Sequence, residues 1–221
     1  MGLRDARTPE GFMPHDRILA TDMGESKFPE LATERLELCE ITRDHAGWYL
    51  RHFSTPEIVS GQGFPAPKDL EAAKAELDEY MVGLFEKGGG FRWGIRLKGK
   101  EDLIGTVGFY AWDKEAAKAK MGYDLQTEHW GRGLMREALD RAIRFGFEEM
   151  GLNRVEVTVM STNPRSMALV GRLGFKKEGV LRDYSVWDGQ YVDEHVFALL
   201  KGDWSGGPQD APDVRNPGKG L

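Results

Sequence analysis

Two glycines either side of an arginine, in the run Trp130-Gly131-Arg132-Gly133-Leu134-Met135, carry the clearest chemical meaning in the chain. They follow a strand-like stretch ending at Leu125 and open a long helix-like one. Glycine adopts positive φ without steric cost and lets a ligand come close to the backbone. The first turn of a helix leaves its N–H groups without intrahelical partners and carries the positive end of the dipole. Such a turn suits a diphosphate, although a tight strand-to-helix connection with no ligand has the same spacing. The pattern disfavours two nucleotide classes. Arg136 stands where the dinucleotide fingerprint has its third glycine, and no Gly-Lys-Ser/Thr follows, as a nucleotidase loop requires.

A second run, Asn163-Pro164-Arg165-Ser166, supplies a helix N-cap, a proline at the first helical position and a serine in the first turn. The single cysteine, Cys39, excludes an internal disulfide and a cysteine-only metal site. The five histidines have no ligand-like spacing, so no metal is predicted. A net charge of -6 argues against a dedicated nucleic-acid binder, which needs a basic face to meet phosphates. The same charge weakly favours a cationic substrate such as an amine. No apolar run approaches the roughly 20 residues needed to span a bilayer. The polar start, MGLRDARTPEGFMPHDR, has no apolar segment of a secretory signal. The expected location is the cytoplasm, without a membrane partner.

The elements that must position these runs follow from hydropathy period. Residues 1–31 show no periodicity and read as an extended or partly ordered lead-in. Arg35–Ile41 alternates and reads as a strand, Asp44 to about Phe53 as a short helix, and Pro56–Pro67 as a loop. Lys68–Glu86 is a run of helix formers closed by Gly88-Gly89-Gly90. Phe91–Leu97, Leu103–Trp112 and Lys118–Leu125 read as strands. The helix opened by the glycine turn runs to about Met150, with apolar residues at spacings of three and four, and Gly151 ends it. Arg154–Met160 is a β-branched strand, the Asn163 helix ends at Leu173-Gly174, and Gly179–Trp187 pairs with Gln190–Leu200 across Asp188-Gly189. Residues 205–221, rich in glycine and proline, read as a disordered tail. The fold class is mixed α/β, with a largely antiparallel sheet in one domain over residues 32–204.

In this order the chain resembles the GNAT superfamily, and within it the ribosomal-protein N-terminal acetyltransferase branch. The matching pieces include Thr33-Glu34-Arg35-Leu36, Leu103-Ile104-Gly105-Thr106-Val107-Gly108, Tyr123-Asp124-Leu125, Trp130-Gly131-Arg132-Gly133-Leu134 with Glu137-Ala138, Asn163-Pro164-Arg165-Ser166, Leu173-Gly174-Phe175 and Asp188-Gly189-Gln190-Tyr191. The resemblance implies a splayed central sheet flanked by helices, with acetyl-CoA lying where two strands diverge. It implies that the amides from Gly131 through Arg132, Gly133 and Leu134 to Met135 hold the diphosphate. Leu125 would pair with the pantetheine, and Asn163 and Ser166 would lie near the thioester. Met135 departs from the family, where alanine or glycine is usual, and its side chain must turn into the core.

Acetyl transfer to an amine requires loss of a proton from the ammonium and help for the departing thiolate. On the resemblance, Ser166 is the candidate proton donor, since Val170 occupies the place of the tyrosine that many members use. The base is open. A related branch has a glutamate where Ser185 stands here, and Asp183, Glu194, His195, His129 or a water chain are the alternatives. The expected reaction is acetyl transfer to a primary amine, on a protein N-terminus or a small molecule, by direct attack. The competing readings are a non-catalytic acyl-CoA sensor or scaffold and a nucleotide-binding regulatory domain. Exposed strands that pair in this family allow a homodimer.

Overall fold

The computed structural model describes residues 27–206. Most of the lead-in and of the tail predicted from sequence, residues 1–26 and 207–221, lie outside the described residues. The elements run β1 (Leu31–Ala32), β2 (Leu36–Glu40), α1 (Ala46–His52), α2 (Pro56–Gln62), α3 (Leu70–Leu77), α4 (Gly83–Glu86), β3 (Phe91–Leu97), β4 (Leu103–Asp113), β5 (Lys118–Leu125), α5 (Leu134–Glu148), β6 (Arg154–Met160), α6 (Pro164–Arg172), β7 (Lys176–Trp187) and β8 (Gln190–Leu200).

Among the described residues all eight strands join one sheet in the order β1-β2-β3-β4-β5-β6-β8-β7. Every pairing is antiparallel except β5 with β6, and that one parallel pair is short. Only Lys118, Ala119 and Lys120 meet Arg154, Val155 and Glu156. Beyond Lys120 the strands part: β5 stays on β4 as far as Leu125, and β6 stays on β8 as far as Met160. The sheet therefore splits down its middle.

Alternation assigns the two faces. Met121, Val155, Val157, Val159, Phe197 and Leu199 pack with Leu134, Leu139 and Ile143 of α5 in the larger core. The opposite face of β2–β4 carries Cys39, Ile41 and Leu103 against α1 and α3, in a second core centred on Tyr49 and Phe53. Phe28 and Leu31, from the stretch read as a lead-in, are buried in the larger core.

Two local elements differ from the sequence reading. Pro56–Gln62 is a helix, not a loop, with Pro56 at its start and Gly63 at φ 78° closing it. The Lys68–Glu86 helix is broken by a wide π turn at Asp78–Val82. A Cβ on Gly83 would stand 2.6 Å from the Asp78 carbonyl oxygen, so that turn requires glycine at its end.

Candidate active site

The split between β5 and β6 opens into a cleft of about 1990 Å³, lined by both strands, the glycine turn, the start of α6 and the α2–α3 region. The edge of β5 facing it is free to pair. Gln126 N–H donates to the Ile104 carbonyl on β4, so by alternation the amides of Tyr123 and Leu125 point the other way, into the split. The Leu125 carbonyl is taken by Trp130 Nε1 at 2.7 Å, which pins the glycine turn to the strand end.

Gly131 and Gly133 both adopt positive φ, 74° and 76°, and Gly133 is the N-cap of α5. The Arg35 guanidinium donates to the Arg132 carbonyl at 3.0 Å. In a trans peptide the N–H opposes its C=O, so the Gly133 amide points away from Arg35. Glu137 N is the first amide of α5 bonded back to Gly133 O. The amides of Leu134, Met135 and Arg136 therefore remain available at the mouth of the helix. The Met135 side chain is buried in the larger core, as its bulk demanded. Glu137 receives Thr33 Oγ1, Arg35 N–H and the Arg35 guanidinium. Burial works against its ionisation, but those bonds prevail and hold its carboxyl below the usual range. The helix start thus keeps its carboxylate neutralised by Arg35, and Arg136, Arg165 and Arg172 line the cleft. Arg165 stacks 3.9 Å above the Trp130 ring. Glycine backbone, free amides and basic side chains together fit the diphosphate and phosphate groups of a CoA molecule.

Across the split, the Asn163 side chain accepts from Ser166 N–H at 3.0 Å, so its carbonyl is spent on capping α6. The Ser166 hydroxyl lines the cleft and lies 2.6 Å from the Tyr123 hydroxyl. Val170 is fully buried and carries no hydroxyl, so that position of α6 supplies no proton donor.

The other sheet face brings different groups to the same split. Asp124 is buried and accepts from His52 Nε2, Gln62, Arg92, Thr106 N–H and Thr106 Oγ1. Burial pushes its pKa up, but the charges and hydrogen bonds of His52 and Arg92 outweigh that and leave the carboxyl below its usual range. Every lone pair is engaged, so Asp124 is a structural hub and not a base. Glu194, opposite Met160 on β8, lines the cleft and receives the Ser185 hydroxyl. Asp183 does not reach the site. A bulge between Leu181 and Ser185 leaves it exposed at φ 51°, its N–H donating to Asp193. His195 faces the α5 side of the sheet, beside Phe197, and does not line the cleft. His129 lines the cleft beside the glycine turn.

The family model for the GNAT acetyltransferase domain matches residues 35–176. The chain belongs to the GNAT acetyltransferase family. It is similar to the uncharacterized N-acetyltransferase YoaA of Bacillus subtilis, 34% identical over 79% of this chain and 98% of that one. It also resembles the ribosomal protein uS5-alanine N-acetyltransferase of Escherichia coli, 32% identical over 80% of this chain and 93% of the relative. Among solved structures, the ribosomal-protein-S5-alanine acetyltransferase of Vibrio fischeri superposes with a TM-score of 0.70 at 23% identity, over 80% of this chain and 98% of that one. A spermidine N-acetyltransferase from Vibrio cholerae, in complex with CoA and spermine, gives 0.68 at 22%, over 76% and 96%. Like other members, this GNAT chain is an acetyl-CoA-dependent N-acetyltransferase. The sensor reading gains no support from these relatives. Among the described residues no group of metal-ligating side chains forms a site, and no helix is long and apolar enough to cross a membrane.

The resemblance places Gly131, Gly133, Leu125, Asn163 and Ser166 around one acetyl-CoA, and all five line the same cleft. The sequence did not single out Tyr123 or Asp124, and it named Glu194 only among the candidate bases. Tyr123 and Asp124 belong to a quoted motif, but nothing in one strand says which distant side chain each meets.

Proposed function

We propose that this enzyme acetylates a primary amine carried on a cationic acceptor, a protein N-terminal α-amine or a small-molecule amine, by direct attack in a ternary complex. One observation carries the reading: the split in the sheet is reached from both faces, with Ser166 on the α5 and α6 side and Glu194 on the other. Acetyl-CoA supplies an activated acyl group on a thiolate leaving group. The amides of Gly133 to Arg136, the Gly131–Arg132 turn and the nearby arginines would hold its phosphates, and the free edge of β5 at Leu125 its pantetheine. Asn163 fixes the first turn of α6, and Ser166 offers a hydrogen bond to sulfur. Glu194 is placed to take the ammonium proton, directly or through a water, from the side where the acceptor enters. No protein nucleophile is needed. Cys39 is buried in the second core, and burial raises its thiol pKa.

Charge supports the cationic acceptor. Apart from Arg92, which is paired with Asp124, the arginines of the lining belong to α5 and α6, whereas Glu57, Glu76, Glu79 and Glu194 line the part formed by α2, the α3 region and β8. The relatives named for ribosomal protein uS5 and spermidine acetylation both have amine acceptors. A cytoplasmic location belongs to the same reading. Pairing of two copies is supported by the long edge strand β7, which leaves Tyr184 and Val186 exposed.

The test is release of free CoA with a panel of N-terminal peptides, polyamines, amino acids and aminoglycosides. Turnover that rises with acceptor charge is expected. Binding of acetyl-CoA with no turnover on any amine would return the chain to the sensor reading.

A further inference from the structure

Tyr123 on β5 and Ser166 on α6 stand 43 positions apart in sequence, yet their hydroxyls are 2.6 Å apart. Among the described residues neither hydroxyl has another hydrogen-bond partner in the protein. Burial pushes the Tyr123 phenol up to about 12, with the Ser166 hydrogen bond opposing that rise, so it keeps its proton throughout the physiological range. A phenol is a stronger acid than an aliphatic hydroxyl, so in this half-buried pair Tyr123 is the donor and Ser166 Oγ the acceptor. A serine hydroxyl has one proton and two lone pairs. With a lone pair filled by Tyr123, the Ser166 proton must point away from the phenol, toward the cleft that both side chains line.

We infer that Tyr123 is a positioning residue for acetyl transfer: its phenol donates to Ser166 Oγ and thereby aims the Ser166 proton at the departing sulfur. The inference rests on the placing of Ser166 at the thioester proposed above. In the step concerned, the acceptor nitrogen bonds to the acetyl carbon, the C–S bond breaks, and its electron pair goes to sulfur. Ser166 stabilises that charge by a hydrogen bond. The proton shed by nitrogen passes to Glu194 or to water, and sulfur is protonated from solvent as CoA leaves. Tyr123 remains a phenol, because its raised pKa exceeds the roughly 8.5 of a thiol.

The same geometry makes Tyr123 and Ser166 one functional unit with a polarity. The position of α6 at which other members carry a tyrosine holds the buried Val170 here, which has no hydroxyl to offer.

The experiment is a double-mutant cycle on kcat and on the KM for acetyl-CoA, using a good amine from the panel. Tyr123→Phe removes one oxygen and keeps the ring. Its kcat is expected to fall about tenfold, with the acetyl-CoA KM changed less than about twofold. Ser166→Ala is expected to fall further, about 100-fold. The double variant should be no slower than Ser166→Ala, because Tyr123 acts only through that hydroxyl. A wild-type kcat for Tyr123→Phe, or losses that multiply in the double variant, would overturn the positioning role while leaving Ser166 in place. An unchanged kcat for Ser166→Ala overturns the Ser166 reading and the inference with it. The CoA-induced rise in Tm, equal in Tyr123→Phe and wild type, verifies that a slow variant is folded and still loads its co-substrate; a variant that lost that rise would make Tyr123 a binding residue and overturn the assignment.

Discussion

His52 Nε2 lies 2.6 Å from the Asp124 carboxylate, with both side chains cut off from solvent beneath the acceptor side of the cleft. The ring is held flat by Trp48, whose plane stacks on it at 4.7 Å. Through Asp124 the helices α1 and α2 are tied to β3, β4 and β5, because His52, Gln62, Arg92 and Thr106 all donate to one carboxylate. Breaking a buried charge pair leaves the surviving partner uncompensated, which costs about 3–5 kcal/mol. Asp124→Asn is expected to lose stability of that order, since the new amide N–H groups would confront donors. The pH dependence has a definite sign. Asp124 titrates lower in the folded chain than the 3.8 of a free aspartate. Its contribution is therefore complete above that value and is lost as pH falls through the depressed folded pKa. The Tm gap between wild type and Asp124→Asn should narrow on acidification toward and below pH 4. A gap that stays constant there would contradict the ionised hub.

At the glycine turn, a Cβ on Gly131 would meet no atom within 4 Å, yet φ is 74°. Substitution there is penalised by backbone conformation alone, about 1–2 kcal/mol for an ordinary L-residue. Gly131→Ala should raise the Kd for CoA about tenfold, whereas Gly131→Asn, which tolerates the left-handed region, should lose less. Titration calorimetry decides it. Equal losses for the two would point to a side-chain clash with the ligand instead of strain.

The Glu137 clamp joins the start of β2 to the start of α5 through Thr33 and Arg35. Glu137→Gln keeps the shape but loses the charge-assisted bonds, at about 1–3 kcal/mol. Because the Glu137 carboxyl titrates below its usual range, that contribution is present near neutral pH and fades in acid. Urea unfolding at pH 7 and pH 4 should show a smaller difference between variant and wild type at the lower pH. A difference that grows in acid would remove the carboxylate from this account.

Much of the scaffold was readable because it rests on local chemistry. Asn163-Pro164 declares a helix start whatever surrounds it, and the three-four spacing from Met135 to Phe147 requires a helix with one buried face. The α2 helix was read as a loop because Pro56, Ser60, Gly61 and Gly63 crowd it with turn residues. One buried side chain, Ile58, anchors it by tertiary packing that no local pattern reveals. Asp183 was one of several candidate bases in the sequence, and the irregular pairing between Leu181 and Ser185 leaves it exposed and outside the cleft. The site was legible where backbone dominates, at Gly131 and Gly133, and not where distant side chains meet. The pairs Tyr123 with Ser166, Asp124 with His52, and Ser185 with Glu194 are products of sheet order, and sheet order is not written in any one segment.

On β7 the Ser185 hydroxyl reaches Glu194 on the neighbouring strand. A carboxylate thus arrives in the cleft from β8 with Ser185 to orient it. Glu194→Gln retains that hydrogen bond but cannot accept the ammonium proton, and kcat/KM for the amine should fall about 100-fold at neutral pH. Ser185→Ala should lose much less. If Glu194→Gln retains full activity, water alone deprotonates the acceptor.

Acceptor selection should reside in carboxylates that have no ion-pair partner among the described residues. Glu57 and Glu79 line the cleft at its α2 and α3 end and are exposed, so each contributes only a screened attraction, about 1 kcal/mol or less. The combined Glu57→Gln, Glu79→Gln variant should raise the KM for a doubly charged amine severalfold while leaving the KM for acetyl-CoA unchanged. The effect should shrink for a singly charged amine and at high salt, since exposed charges are screened within about 8 Å at physiological ionic strength. Equal KM changes for singly and doubly charged amines would assign those two glutamates to the shape of the cleft, leaving its field to Glu76 and Glu194.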